Sequence, residues 1–218
     1  STLACLHRRF GHMGSMGDQL KCSLCQMMGG TFKRRAKGRS RAPATPELPG
    51  YRWCVDVVYL PSPAIGGEHY ACILRDFTTG YFVAAYGETK SFGAKLVKII
   101  KSMRAKTCFQ AHSYPLFSEL YSDHDGSWFL ERTTQHDLEE LGVVCTFGGP
   151  GTTDDHRIYA YAEAANRQLT HSTKMILLQN RLPTSFWKWA MQQAVQLRNL
   201  FPIQKNAANV YSGDIVRP

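Results

Sequence analysis

Three carboxylates stand where strands and a helix could bring them together. Asp56 lies within the apolar run 53–60, which is typical of a central strand, and Asp123 follows directly after the predicted strand 116–122. Glu163 belongs to a helical stretch of small neighbours. If they converged, each pair would repel by roughly 4 kcal/mol at about 4 Å, and divalent metal would relieve that cost. The pattern indicates a site for two Mg²⁺ or Mn²⁺ ions that serves phosphoryl transfer. The alternative is three unrelated acids.

A second group of residues has the composition of a structural zinc site. His7 and His12 are followed by the close pair Cys22 and Cys25. Two histidines and two cysteines supply a closed tetrahedral set, and a short segment with few large apolar residues needs metal to fold. We therefore expect zinc to hold residues 1–30. The alternative is a free thiol pair with two surface histidines.

The positive charge is concentrated near the start of the chain. Residues 1–50 carry nine Lys or Arg against two acids, net +7, whereas residues 51–218 carry seventeen against fifteen, net +2. Most of the excess is one run, which suits a nucleic acid backbone: Lys33, Arg34, Arg35, Lys37, Arg39 and Arg41. A solvated linker or a nuclear address is the alternative interpretation.

The hydrophobic pattern predicts the elements that must position these groups. Alternating and continuous apolar runs predict strands at 52–60, 69–76, 81–86, 116–122 and 143–147. Helical spacing predicts helices at 91–106, 127–141, 158–179 and 183–201. This order predicts an α/β protein with a five-stranded mixed sheet and flanking helices. We expect a zinc segment 1–30, a basic Pro-rich linker 31–50, a core 51–202 and an extension 203–218.

Composition excludes several classes of protein. The chain has 218 residues, 44% of them apolar, so it is neither disordered nor collagen-like. It contains no apolar run of membrane-spanning length and no secretory signal, and it reads as a piece of a longer polypeptide. Seven cysteines, five of them single, indicate reduced, intracellular thiols. We expect no membrane partner and no small-molecule cofactor.

Taken together, these motifs resemble the integrases of copia-type long-terminal-repeat retrotransposons. The segment from Leu6 to His12 is similar to the opening of the family's His-His-Cys-Cys zinc domain, with Cys22 and Cys25 completing it. Asp56, Asp123 and Glu163 match its D, D, E triad. Residues 162–169, Ala-Glu-Ala-Ala-Asn-Arg-Gln-Leu, and 182–187, Leu-Pro-Thr-Ser-Phe-Trp, are similar to its last helices.

The resemblance implies a ribonuclease H-like core and a specific reaction. The family trims the 3′ ends of element cDNA and transfers them into target DNA, using metal at the triad. It implies DNA and a homo-oligomer as partners, and the nucleus or a virus-like particle as location. By the same analogy Arg167 and Lys174 would contact phosphate.

Departures from the family pattern leave alternatives open. Thirty-nine residues separate Asp123 from Glu163, more than is usual, so Asp125 is a rival second carboxylate. The family usually has Gln-Asn-Gly before the catalytic Glu, and this chain instead has a stretch that contains Asp154-Asp155-His156-Arg157. The Arg that usually follows the Glu is Ala164 here. An inactive or domesticated zinc-dependent nucleic acid binding protein is therefore the main alternative. A ribonuclease H is a weaker one, because the predicted helix 91–106 lacks the carboxylate of that class.

Overall fold

The computed structural model describes residues 48–106, 115–122, 131–147, 155–200, 202–203 and 210–211. The predictions for the zinc segment, the basic run, Asp123 and Asp125 lie outside these residues. Five strands form the main sheet: β1 (Arg52–Tyr59), β2 (Tyr70–Asp76), β3 (Phe82–Gly87), β4 (Glu119–Ser122) and β5 (Val144–Phe147). The helices are α1 (Gly93–Ala105), α2 (Arg132–Glu140), α3 (Asp155–Gln179) and α4 (Trp187–Asn199).

The sheet is mixed and its order is β3-β2-β1-β4-β5. β1 pairs antiparallel with β2, and β2 pairs antiparallel with β3. On its other side β1 pairs parallel with β4, which pairs parallel with β5. β1 is therefore the central strand, as its two-sided apolar pattern predicts. The α/β class and the five-stranded mixed sheet are confirmed.

Each face of the sheet is covered by its own pair of helices. On one face α1 and α2 bury a core that includes Trp53, Leu74, Leu96, Ile100 and Leu138. On the other face α3 and α4 bury a second core built from Ile73, Phe82, Leu169, Trp187 and Met191. Adjacent residues of β2 enter opposite cores, since side chains alternate along a strand. The chain thus forms three layers, helices, sheet and helices.

Glycine permits a close contact between the two helices of the first face. A Cβ added at Gly93 would lie 1.9 Å from Oγ1 of Thr134. Any side chain at this position would therefore collide with α2. The amphipathic face predicted for 91–106 is confirmed, because Leu96, Val97 and Ile100 are buried against the sheet.

The predicted strand 116–122 is wrong at its start, because β4 begins at Glu119. Phe117 has a positive φ of 55° and Ser118 donates to the Pro115 carbonyl at 2.7 Å, which is a turn. The ring of Phe117 stacks on Trp53 with centroids 4.2 Å apart. Leu116 and Phe117 are thus buried by tertiary packing in a turn. Their apolar side chains extend the hydrophobic run, and for that reason the sequence predicted a strand there.

Two helix boundaries also differ from the prediction. The predicted helix 127–141 begins only at Arg132, since Glu131 has extended backbone and acts as the N-cap residue. The predicted helix 183–201 is divided into a 3₁₀ turn, Thr184–Phe186, and α4. Helix α3 begins at Asp155, before the predicted residue 158. A two-stranded ribbon, β6 (Pro202–Ile203) with β7 (Val210–Tyr211), follows α4 and was not predicted.

Candidate carboxylate site

Asp56 lies on β1 and faces the layer of α3 and α4. It is directly opposite Ile73 of β2, and residues opposite each other in an antiparallel pair project on the same side. Its Oδ1 accepts a hydrogen bond from the Val57 amide at 2.7 Å. Its Oδ2 accepts a short hydrogen bond from Nδ2 of Asn166, in α3. The half-buried carboxylate is thereby tied to the helix that carries Glu163.

Glu163 lies one helical turn before Asn166, so the two side chains occupy neighbouring positions on α3. Its carboxylate pairs with Arg167, with Nη2 of Arg167 2.9 Å from Oε1 of Glu163. The side chain of Glu163 is 74% exposed. An exposed pair of this kind on one helix contributes only about 0.3–0.5 kcal/mol. The structure therefore places the Glu163 carboxylate at an exposed position, one helical turn from Asn166, in a contact that contributes little to stability.

The second carboxylate predicted for the triad lies just beyond a described strand. Along the parallel pair, Cys54 of β1 is in register with Tyr121 of β4. Asp56 follows Cys54 by two residues and Asp123 follows Tyr121 by two residues. β4 ends at Ser122, so Asp123 and Asp125 lie outside the described residues. Within the described ranges, no group of three or more His, Cys, Asp or Glu could hold a metal ion.

A buried polar network fixes the sheet beside this region. The Asp76 carboxylate is fully buried, and it accepts hydrogen bonds from the Gly50 amide at 3.0 Å and from the Thr79 amide at 2.6 Å. The backbone carbonyl of Asp76 accepts a hydrogen bond from the Tyr161 hydroxyl at 3.0 Å. Burial raises the pKa of Tyr161, which keeps this hydroxyl a donor. Tyr161 and Asn166 thus join α3 to β2 and β1 respectively.

The thiols near the site are structural. Cys54, Cys72 and Cys145 are free cysteines. Burial raises the pKa of Cys54 and of Cys72, so neither is a reactive thiolate at neutral pH. Among the described residues these cysteines form no disulfide, and the reduced, intracellular state expected for the thiols stays a prediction.

Sequence reasoning missed Asn166 as a site residue. It stands inside the stretch 162–169 that carries the family resemblance, three residues after Glu163, and that spacing was the available signal. Lys174 is exposed on the same helix, and Arg167 contacts Glu163. Their predicted contacts with phosphate stay predictions.

A comparison with models of known protein families found no match for this chain. Within the described residues, no helix is long and apolar enough to cross a membrane.

Proposed function

We propose that the chain is a fragment of a copia-type retrotransposon integrase, a polynucleotidyl transferase that processes 3′ cDNA ends and joins them to target DNA. The observation that carries the proposal is the link between Asp56 on the central strand and Asn166, one turn after Glu163. The strand order β3-β2-β1-β4-β5, with β4 and β5 parallel to β1, supports a ribonuclease H-like core.

Asp56, Asp123 and Glu163 are the residues that would hold two Mg²⁺ or Mn²⁺ ions. They offer carboxylate oxygens only, the ligands that these hard cations prefer. Bound metal would supply charge stabilisation to the attacking and leaving oxygens of phosphoryl transfer. Asn166 keeps Asp56 Oδ2 in place from the helix, and the Val57 amide keeps Oδ1 in place from the strand. The equal offset of Asp56 and Asp123 from the paired Cys54 and Tyr121 favours Asp123 over Asp125.

The remaining parts of the proposal concern residues outside the described ranges. Zinc would fold residues 1–30 through His7, His12, Cys22 and Cys25, and the basic run would bind DNA phosphates. The element cDNA and the target DNA would be the partners of a homo-oligomer, in the nucleus or in a virus-like particle. The alternative is a non-catalytic nucleic acid binding protein, which the Ala164 departure favours.

The test is strand transfer on a branched DNA substrate with Mn²⁺, using the protein and five variants. We expect Asp56→Asn, Asp123→Asn and Glu163→Gln to abolish turnover, while Asp125→Asn retains it. Glu140→Gln is the matched control, because Glu140 is exposed on α2, across the sheet from Asp56. Turnover that survives Asp123→Asn but not Asp125→Asn would assign the second metal-binding carboxylate to Asp125 instead of Asp123. Absence of turnover with DNA binding intact would favour the non-catalytic alternative.

Two further measurements address the N-terminal segments. Chelation of zinc is expected to unfold residues 1–30 while the sheet stays folded, and a segment equally ordered without metal would refute the zinc site. Replacing Lys33, Arg34, Arg35 and Lys37 should lower the salt dependence of DNA binding by about 0.9 in slope for each phosphate that is no longer neutralised. An unchanged slope would contradict the role of the basic run.

A further inference from the structure

Helix α1 carries a concentration of positive charge that the proposed function does not use. Residues 90–106 hold five lysines and one arginine and contain no Asp or Glu, so this segment is net +6. Residues 51–218 as a whole carry only +2, so the remainder of that range is net −4. The excess positive charge after residue 50 therefore belongs to α1 and the residues at its two ends.

Three of these lysines share one exposed face of the helix. Lys95, Lys98 and Lys101 are exposed, and we call them the lysine face of α1. With 3.6 residues per turn, Lys98 lies about 160° around the helix from Ile100, which is buried against the sheet. It lies about 140° from Gly93, the residue packed against α2. The lysine face is therefore directed away from the sheet and from α2, into solvent.

No carboxylate neutralises the lysine face. None of the ion pairs among the described residues includes Lys95, Lys98 or Lys101. Lys95 stands in the first turn of α1, where the helix dipole favours an acid, and that turn contains no acid. Lysines three residues apart are neighbours on a helix, and their like charges repel. The face is therefore electrostatically unfavourable by itself, and an anion bound along it would remove the repulsion.

The other exposed residues of α1 are small, namely Ala94, Ser102 and Ala105. The lysines are thus the longest side chains on this surface, and their ammonium groups are compact charges that suit phosphate. Within Gly93–Ala105 no aromatic ring is exposed to stack on an unpaired base. No large apolar side chain is exposed there to enter a lipid surface. This composition fits a duplex phosphate backbone, which is bound without base contacts.

We propose that the lysine face of α1 binds the phosphate backbone of duplex DNA independently of base sequence. The rise from Lys95 to Lys101 is about 9 Å, and duplex DNA presents one phosphate charge for about every 1.7 Å of its axis, so each lysine has a phosphate within reach. The choice of DNA rests on the proposed function, whereas the charge and exposure of the face do not. Helix α1 covers the sheet face opposite to α3, so these phosphates are distinct from those at Asp56.

The test is binding of a labelled DNA duplex by the full chain, followed by fluorescence anisotropy over a series of salt concentrations without divalent metal. We expect Lys98→Gln to lower the salt slope of the binding constant by about 0.9, and Lys98→Gln with Lys101→Gln to lower it by about 1.8. Each lost phosphate contact should weaken binding roughly eightfold near 0.1 M salt, as the same slope implies. Glutamine has nearly the helix propensity of lysine, so α1 is retained.

Arg181→Gln is the matched control for the single variant, because it also removes one positive charge from an exposed side chain. Arg181 follows α3, on the other face of the sheet from α1. We expect its salt slope to equal that of the wild-type chain. Circular dichroism verifies that each variant is folded.

Three results would each overturn the proposal: no DNA binding by the wild-type chain, an unchanged slope in the double variant, or an equal decrease in Lys98→Gln and Arg181→Gln. Phosphatidylserine vesicles are a second probe. Vesicle binding that the double variant loses, with its DNA slope unchanged, would assign the face to a lipid surface instead. The DNA measurement needs neither metal nor the carboxylates, so a failure of strand transfer leaves it valid. An unchanged slope, in turn, removes the lysine face without deciding whether the carboxylates catalyse.

Discussion

The contact between Asn166 and Asp56 predicts that two substitutions of Asn166 lower the free energy of unfolding by very different amounts. Asn166→Ala removes a hydrogen bond to a charged group, worth about 1.5 kcal/mol. The loss of stability should fall at or below this figure, because the substitution also removes Oδ1 of Asn166, a buried acceptor without a partner among the described residues. Asn166→Asp instead places a carboxylate against a carboxylate.

The extra cost of Asn166→Asp follows from the distance and the partial exposure. Two carboxylates about 4 Å apart repel by roughly 4 kcal/mol at an effective dielectric of 20, and we discount this to about 2 kcal/mol because Asp56 is only half buried. Asn166→Asp should therefore unfold about 4–8 °C below Asn166→Ala at neutral pH. Urea denaturation followed by tryptophan fluorescence measures the same difference as a free energy of unfolding.

The pH dependence of this difference has a definite sign. Repulsion raises the folded-state pKa of the carboxylate pair above that of the unfolded chain. The penalty is thus absent at about pH 3, where both states are largely protonated, and it grows as pH rises through the raised pKa. If Asp56 binds metal as proposed, millimolar Mg²⁺ or Mn²⁺ should stabilise Asn166→Asp more than Asn166→Ala. Equal stability of the two variants at neutral pH without metal would refute the contact.

Three other substitutions test individual contacts within the fold. Asp76→Ala should cost about 3 kcal/mol in urea denaturation, because it leaves buried backbone donors without their acceptor, and a loss below about 1 kcal/mol would contradict this. Gly93→Ala should destabilise by about 1–3 kcal/mol although alanine favours helices, since its Cβ meets Thr134, and a stabilised variant would disprove the clash. The hydrogen bond from Lys188 lowers the pKa of Glu68, so this pair stabilises at neutral pH and less so as pH falls. The stability lost in Glu68→Gln should accordingly shrink below about pH 4, and a pH-independent difference would exclude the ion pair.

The sheet and its helices follow from periodicity because each element buries one or two regular faces. β1 and β2 are apolar on both sides, and α1 has one apolar face, so local pattern and tertiary burial agree there. They disagree at Leu116 and Phe117, which are buried in a turn. No local pattern distinguishes a buried turn from a short strand, because the difference is the Phe117 stacking on Trp53, 64 residues earlier.

Individual site residues differ in how visible they are in the sequence. Asp56 stands out because a carboxylate inside an apolar strand is costly unless it has a partner. Asn166 and Tyr161 carry no such signal, since an amide and a tyrosine in a helix are ordinary. Their contacts are with residues distant in sequence: Asn166 with the Asp56 carboxylate, and Tyr161 with the backbone carbonyl of Asp76. Long-range packing, which periodicity does not encode, creates these contacts.

The orientation of α3 decides what Glu163 can reach. Tyr161 and Asn166 both bond to the sheet, so they fix the rotation of the helix about its axis. With 3.6 residues per turn, Glu163 lies about 60° around the helix from Asn166, on the side away from Tyr161. Its contact with Arg167 is an exposed pair that contributes about 0.3–0.5 kcal/mol. At equal distance and dielectric, a divalent cation bound at Asp56 would attract the Glu163 carboxylate twice as strongly as the single charge of Arg167 does.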